Sequence, residues 1–146
     1  MRFLLDTNVV SEIRKPARVA DAQVRAWFAA QHADELLLSV ISILEIELGI
    51  ARLERRDAPQ AGVLRAWLDD ELLDGFAGRV LDVDIAVARA AARMHVPDPR
   101  AERDALIAAT AQVHGLTVAT RNLKDFESLG VELLSPWAGS SAGSSA

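Results

Sequence analysis

Three acidic residues, Asp6, Glu45 and Asp104, stand where their type and setting point to chemistry. Asp6 closes the apolar run Phe3-Leu4-Leu5, Glu45 lies just beyond Leu36 to Val40, and Asp104 opens the segment Asp104-Ala-Leu-Ile-Ala-Ala-Thr-Ala111. Each follows or opens a run expected to bring the backbone to one edge of a sheet. If the three converge, they form a pocket of hard oxygen donors suited to Mg²⁺ or Mn²⁺, and so to phosphodiester chemistry.

Each acid also has a purely structural explanation. Asp6 stands where a strand hands over to a helix, a common place for an aspartate N-cap. Ser42-Ile-Leu-Glu45 reads as S-x-x-E, a capping box in which the glutamate returns to the backbone of the N-cap residue. Asp104 favours the positive end of its own helix. Capping and metal binding are compatible, because a helix N-terminus favours the ionised carboxylate that a metal needs. Capping does not account for a meeting of all three carboxylates, which is a geometric expectation.

Other chemistries have less behind them. His32, His95 and His114 are too scattered for a zinc spacing, and His114 is accounted for as a cation near a helix C-terminus. A metal-free ribonuclease working through paired histidines is the weaker alternative. Neither G-x-G-x-x-G nor G-x-x-x-x-G-K-[ST] occurs, so a nucleotide cofactor has no motif to bind it. Gly139-Ser-Ser141-Ala-Gly143 matches G-x-S-x-G but has no strand before it and no histidine after it, so it is a chance match. Two basic groups, Arg14, Lys15 and Arg18 in one and Arg121 and Lys124 in the other, could guide a polyanion or be ordinary solvated charge. Asp69, Asp70, Glu71 and Asp74 are interleaved with leucines and read as a solvated helix face.

The bulk numbers set the frame. With 146 residues, 51% hydrophobic content and 25% charged residues, the chain reads as one globular domain. It has no cysteine, so disulfides and thiolate chemistry are out and a reducing compartment suits it. Only three apolar residues follow Arg2 before Asp6, too few for a secretory signal, and a cytoplasmic protein is expected. A net charge of −5 argues against a broad basic nucleic-acid surface while leaving room for a basic rim around an acidic pocket. Fourteen of the sixteen basic residues are Arg, the better bidentate partner for phosphate, although genome composition produces the same bias.

Periodicity then places the elements that must position these side chains. Strands are expected at residues 2 to 5, 36 to 40, 79 to 83 and 116 to 119, with a short fifth at 131 to 134. Helices are expected to begin around Asp6-Thr-Asn8 and end before Pro16, and to cover 20 to 31, Ser42 to about Arg56, the Val63 to Leu72 stripe, 84 to 95, and Asp104 to His114 with Gly115 beyond its end. Strands alternating with helices imply a mainly parallel sheet of four to five strands, covered on both faces, with ligands outside the carboxyl ends of the strands. Residues 138 to 146 are a low-complexity Gly/Ser/Ala tail, leaving 1 to 137 as the single domain.

Several blocks together resemble the PIN-domain family, and within it the VapC toxins of bacterial toxin-antitoxin pairs. They are Leu4-Leu-Asp6-Thr-Asn8-Val-Val-Ser-Glu12, Ser39-Val-Ile-Ser-Ile-Leu-Glu45-Ile-Glu-Leu-Gly49, the Asp104 segment, His114-Gly-Leu-Thr-Val-Ala-Thr-Arg-Asn122, Asp125-Phe126 and Ser135-Pro-Trp137. The resemblance implies a three-layer α/β/α fold and Mg²⁺- or Mn²⁺-dependent cleavage of RNA, and in-line attack by a metal-activated water is expected to leave a 5′-phosphate and a 3′-hydroxyl. By position Asp6, Glu45 and Asp104 match the family's acidic, metal-binding residues. The family's fourth acid falls where this chain has Asn122, which supplies no charge; Asp125, about one helical turn on, is the candidate to compensate. Thr7, Asn8 and Thr120 are candidates to orient carboxylates or water. A homodimer and a small VapB-like antitoxin are also implied, the antitoxin covering the acidic groove and carrying the DNA-binding part. Two readings of another class stand beside this one: a PIN-like regulatory partner of a DNA-binding repressor with little nuclease activity, and an α/β phosphatase. The phosphatase is disfavoured because an aspartyl nucleophile commonly sits in D-x-D, and here residue 8 is Asn.

Overall fold

A computed structural model describes residues 1–137 of the chain. The strands are β1 (Phe3–Leu5), β2 (Leu36–Ser39), β3 (Val80–Leu81), β4 (Thr117–Ala119) and β5 (Leu133–Leu134). They form one sheet in the order β3-β2-β1-β4-β5, every neighbouring pair parallel. Phe3 faces Leu36 on one side and Thr117 on the other, so β1 is the central strand. Parallel strands buried on both faces need near-continuous apolar runs, and β1 supplies Phe3, Leu4 and Leu5, all buried.

Alternation along the strands sends side chains to two different cores. Phe3, Leu5 and Leu38 join one core with Val9 and Val10 of α1 (Thr7–Arg14), Val24 of α2 (Ala22–Ala30), Ile50 of α3 (Val40–Glu54) and Ala61 of α4 (Ala58–Trp67). The short α5 (Leu73–Gly75) follows a π-helical turn, Leu68–Leu72, whose two terminal leucines are buried in that same core. Leu4, Leu37 and Val118 face the other way, onto Ile107, Ala108 and Ala111 of α7 (Glu102–His114) and Phe126 of α8 (Leu123–Phe126). The remaining helix, α6 (Ile85–Met94), packs Val87, Ala90 and Ala91 against Ala109 of α7. This is the mainly parallel sheet of four to five strands covered on both faces that the residue pattern predicts and the three-layer α/β/α sandwich that the resemblance implies, here with five strands, every pair parallel.

Several boundaries differ from the expected ones. The third and fifth strands shrink to two residues each, Val80–Leu81 and Leu133–Leu134. They form the two edges, where pairing on one side only supports less strand. The third helix starts at Val40 rather than Ser42, because Ser39 at the end of β2 caps it, its hydroxyl accepting from Ile41 N at 2.9 Å. The seventh starts at Glu102, so Asp104 is its third residue and not its first. Gly115 does end that helix in the left-handed region, at φ 67°. Asp69, Asp70, Glu71 and Asp74 are exposed, a solvated face as expected. The low-complexity tail, with its G-x-S-x-G match, lies outside the described residues. Among the described residues no helix is long and apolar enough to cross a membrane.

Candidate functional site

The strand order reverses at β1, whose connections leave toward β2 on one side while β4 and β5 lie on the other. In an open parallel sheet that reversal opens a crevice beyond the carboxyl ends of the strands. Asp6 follows β1 directly and Thr120 follows β4 directly, so both stand at that crevice. Asp6 N donates to Ala119 O at 2.9 Å, which carries the strand pairing one residue past β1.

Both oxygens of the buried Asp6 carboxylate are held. Oδ1 accepts from Thr7 N at 2.8 Å as the N-cap of α1; Oδ2 accepts from Thr120 Oγ1 at 2.7 Å and from Asn8 Nδ2 at 3.2 Å. Thr120 is itself fully buried and accepts from Asn122 N at 3.0 Å, while Asn8 Oδ1 accepts from Arg121 N at 3.2 Å. Thr120 and Asn8 thus lace the exit of β4 to the exit of β1 and fix where the Asp6 oxygens point. Burial raises the Asp6 pKa; the bonds from Thr120 and Thr7 oppose that rise, and the charges of Glu45 and Asp125 add to it.

Glu45 is the sixth residue of α3, three residues and so nearly a full turn beyond the place a capping box requires, and the box does not form. Its Oε1 instead accepts from Thr7 Oγ1 at 2.5 Å, and its Oε2 lies 3.8 Å from Arg103 Nη1. Thr7 Oγ1 is also 2.9 Å from the buried Ser42 Oγ, so α1 and α3 are joined through this hydroxyl. Asp104 reaches the crevice from the first turn of α7. Its carboxyl is pushed up to about 6, first by burial, then by the negative charges of Asp6, Asp125 and Glu45, with Arg103 opposing.

Asp6, Glu45, Asp104 and Asn122 line one groove of about 470 Å³. The three acids therefore do face a shared space. Asn122 is exposed, its backbone N–H tied to Thr120 and its side chain making no capping bond to α8. Asp125 is exposed on α8 and outside the lining, and reaches the groove only through its charge. Among the described residues no three Asp, Glu, His or Cys side chains are gathered tightly enough to hold a metal between them as they stand. A cavity of about 680 Å³ near Arg93, Pro97 and Leu129 is larger but contains none of these acids, so it is chemistry and not size that singles out the groove.

The groove also holds side chains to which the residue pattern assigned no role. Glu12 is buried in the wall, Oε2 accepting from Asp21 N at 2.8 Å and Oε1 from Lys15 Nζ at 2.9 Å. The Asp21 backbone N–H, then Lys15, hold its carboxyl below the usual range. It ties the end of α1 to the cap of α2, and Lys15, one of the basic residues singled out above, is engaged in that tie. A signal was available: Glu12 lies three residues after Val9 on the inward face of α1, where a charge needs partners. Trp137 completes the lining, with the Arg121 guanidinium carbon 5.2 Å from its ring centroid.

The raised Asp104 pKa has a consequence for stability. A carboxyl at about 6 in the fold and 3.8 in the unfolded chain binds its proton more tightly when folded. Its contribution is therefore fully present below about pH 3.8 and lost as pH rises through 6. Glu12, whose pKa is lowered from 4.5, acts oppositely, so its contribution is lost only below that value. In EDTA, the melting temperature is expected to rise as pH falls from 7.5 to 5; a calorimetric series showing no rise, or a rise of equal size in Asp104→Asn, would refute this origin.

An α/β sheet with buried and half-buried carboxylates gathered at its switch point is the arrangement of a PIN domain. The PIN domain profile matches residues 3–131, and the chain belongs to this family. It is 35% identical to "VapC ribonuclease Y4jK" of Sinorhizobium fredii over 92% of this chain and 97% of that one. It is 38% identical to "Toxin FitB" of Neisseria gonorrhoeae over 92% and 98%. Among solved structures, "Structure of FitAB bound to IR36 DNA fragment" aligns with a TM-score of 0.83 and 34% identity, covering 97% of this chain and 99% of that one.

Proposed function

We propose that this chain is a Mg²⁺- or Mn²⁺-dependent endoribonuclease of the toxin kind, kept inactive by a VapB-like antitoxin. The observation that carries the reading is the convergence of Asp6, Glu45 and Asp104 on one groove, where burial first and the neighbouring negative charges second push the Asp104 carboxyl up to about 6. A site with that unbalanced negative charge suits a small hard cation, and its donors are all oxygens. Mg²⁺ commonly takes one or two carboxylates and completes its shell with water, which fits the absence of a ready three-acid cage among the described residues. Asp6 and Asp104 are the carboxylates assigned to the ion. Glu45, engaged by Thr7 and Arg103, adds charge and the remaining acidic contact.

When bound, the ion supplies stabilisation of charge on the phosphoryl oxygens and a stronger water nucleophile. The chain's own residues do the rest. Thr120, Thr7 and Asn8 hold both Asp6 oxygens in place, as partners behind a metal ligand do. Asn122 offers a neutral oxygen or holds a water, and Asp125 supplies the charge missing at that position. Arg121 meets RNA phosphate at the rim of the groove.

The partner readings rest on relatives whose names describe toxins and a DNA-bound FitAB complex. A smaller cavity of about 300 Å³ shares Thr7, Ser11 and Arg14 of α1 and Glu45 with an apolar wall of Ile46, Leu53, Leu64 and Trp67, a seat for an amphipathic antitoxin segment next to the acids. A homodimer in the cytoplasm completes this reading. The regulatory alternative, a PIN-like partner that mainly strengthens a repressor's hold on DNA, draws on the uncharged Asn122.

The test is antitoxin-free protein incubated with structured RNAs in Mg²⁺ or Mn²⁺, with EDTA and Asp6→Asn as controls. Metal-dependent products with 5′-phosphate ends are expected. Cleavage that persists in EDTA and in Asp6→Asn would sink the metal mechanism, and absence of cleavage across many RNAs would favour the regulatory alternative.

A further inference from the structure

A cavity of about 690 Å³ adjoins the acidic groove, and Trp137 lines both. Its other walls come from α2 and from the segment leading into Trp137, with Ala26 and Trp27 apolar and Gln23 and Ser135 polar. Trp27 is braced edge-on against Phe3 of β1, ring centroids 5.0 Å apart, so that wall is anchored in the core. Ser135 is buried and its hydroxyl accepts from Trp137 N at 3.3 Å, which steadies the segment carrying the indole. Trp137 is only half-buried, and the exposed Arg121 places its guanidinium over the ring.

This combination has a definite chemical meaning. An aromatic face stacks a base whatever its sequence, an arginine beside it meets the phosphate of the same nucleotide, and a polar rim can contact base edges. A lipid chain or apolar peptide would have no use for the cation at the junction. A duplex cannot enter either, because its bases are already stacked.

We propose that this cavity is a nucleobase subsite: an unpaired base of a single-stranded RNA segment stacks on Trp137 while Arg121 contacts the adjoining phosphate. The strand is thereby laid across Asp6 and Asp104. Trp137 and Arg121 act here as positioning residues for RNA, and Gln23 is placed to contact the base edge. The inference rests on the ribonuclease reading and adds its substrate class, RNA with an extruded base next to the cleaved bond.

The experiment uses the full-length chain carrying Asp104→Asn, to stop cleavage, with a labelled twelve-nucleotide single-stranded RNA of mixed sequence in Mg²⁺, read by fluorescence anisotropy. Trp137→Leu is expected to weaken binding about tenfold or more, and Trp137→Phe to recover most of it. Arg121→Gln should lower the slope of log affinity against log salt by about 0.7, the contribution of one phosphate contact on a single strand, whereas Trp137→Leu leaves the slope unchanged. Because Trp137 also packs on the core, Ala26→Phe provides a second variant: from an exposed position on α2 it places a ring in the cavity while residue 137 stays Trp, and it should reproduce the loss. A duplex of the same length should bind with an affinity indifferent to positions 137 and 26. RNA affinity unchanged by Ala26→Phe, or an equal loss for the duplex, overturns the subsite. Wild-type cleavage keeps the two readings apart. Cleavage that is unaffected in Trp137→Leu removes the subsite and leaves the nuclease; RNA binding that depends on Trp137, without cleavage in either ion, does the reverse.

Discussion

Asp104→Asn is expected to reduce metal-dependent RNA cleavage by more than about a hundredfold and, in the same protein, to raise the melting temperature measured in EDTA. The two effects have one cause. Burial and the negative charges of Asp6, Asp125 and Glu45 push the Asp104 carboxyl up to about 6, so at pH 7.5 it is ionised against the preference of its surroundings. A divalent ion offsets that repulsion; without the ion it remains as a cost to the folded state. Asn keeps the shape and removes the charge. Loss of a group behind a metal ligand typically costs ten- to a hundredfold, so loss of a ligand itself should exceed about a hundredfold. Solvent screens a part-buried group, so removing the charge recovers only about 1 kcal/mol, which raises melting by roughly 2 to 4 °C in a chain of this size. Paired measurements, cleavage in Mn²⁺ and thermal melts in EDTA, decide the matter. Full activity would remove Asp104 from the site, and a fall in melting temperature would mean that its contacts outweigh its repulsion.

Thr120→Val has the opposite pairing of effects, losing activity and stability together. The Thr120 hydroxyl donates to Asp6 Oδ2 at 2.7 Å and accepts from Asn122 N at 3.0 Å, in a fully buried position. Valine fills the same volume but satisfies neither group, and an unsatisfied buried polar group costs about 1 to 3 kcal/mol. Asp6 would also lose the larger of the two hydrogen bonds that oppose the upward push of burial, so its pKa would rise further. Cleavage should fall about ten- to a hundredfold through the misplaced Asp6. Thr120→Ser, which keeps the hydroxyl, should retain most of both properties. Urea unfolding and cleavage rates on the three proteins test this; a valine variant as stable and as active as the parent would show that Asp6 is positioned by other contacts.

The two variants probe different kinds of position, which explains what could be read without a fold. Asp6 was legible because a short apolar run followed by Asp-Thr-Asn marks a strand handing over to a helix, and that handover is a local matter. Asp104 was legible as an acid near a helix start, although the start lies two residues earlier, at Glu102. Glu45 is a candidate acid with a competing local explanation, the capping box Ser42-x-x-Glu45, and the box does not form. Ser39 is already in position to cap, which leaves Ser42 inside the helix and frees Glu45 to meet Thr7. The short edge strands and the π-helical turn at Leu68–Leu72 were likewise beyond periodicity, since each depends on what packs against it.

By itself the order of residues determined the alternation of strands and helices, the parallel sheet that follows from it, and the positions of the acids relative to the strand ends. Those properties come from hydrophobic period and capping, which act over a few residues. Only the tertiary structure decided that β1 and β4 are neighbours, and with that the bond from Thr120 to Asp6, across 114 positions of sequence. It also decided that Arg103, Glu12 and Trp137 share the surroundings of the acids. A carboxylate's ionisation depends on burial and on charges arriving from other elements, so the strength of this site is a property of the sheet order and not of any one motif.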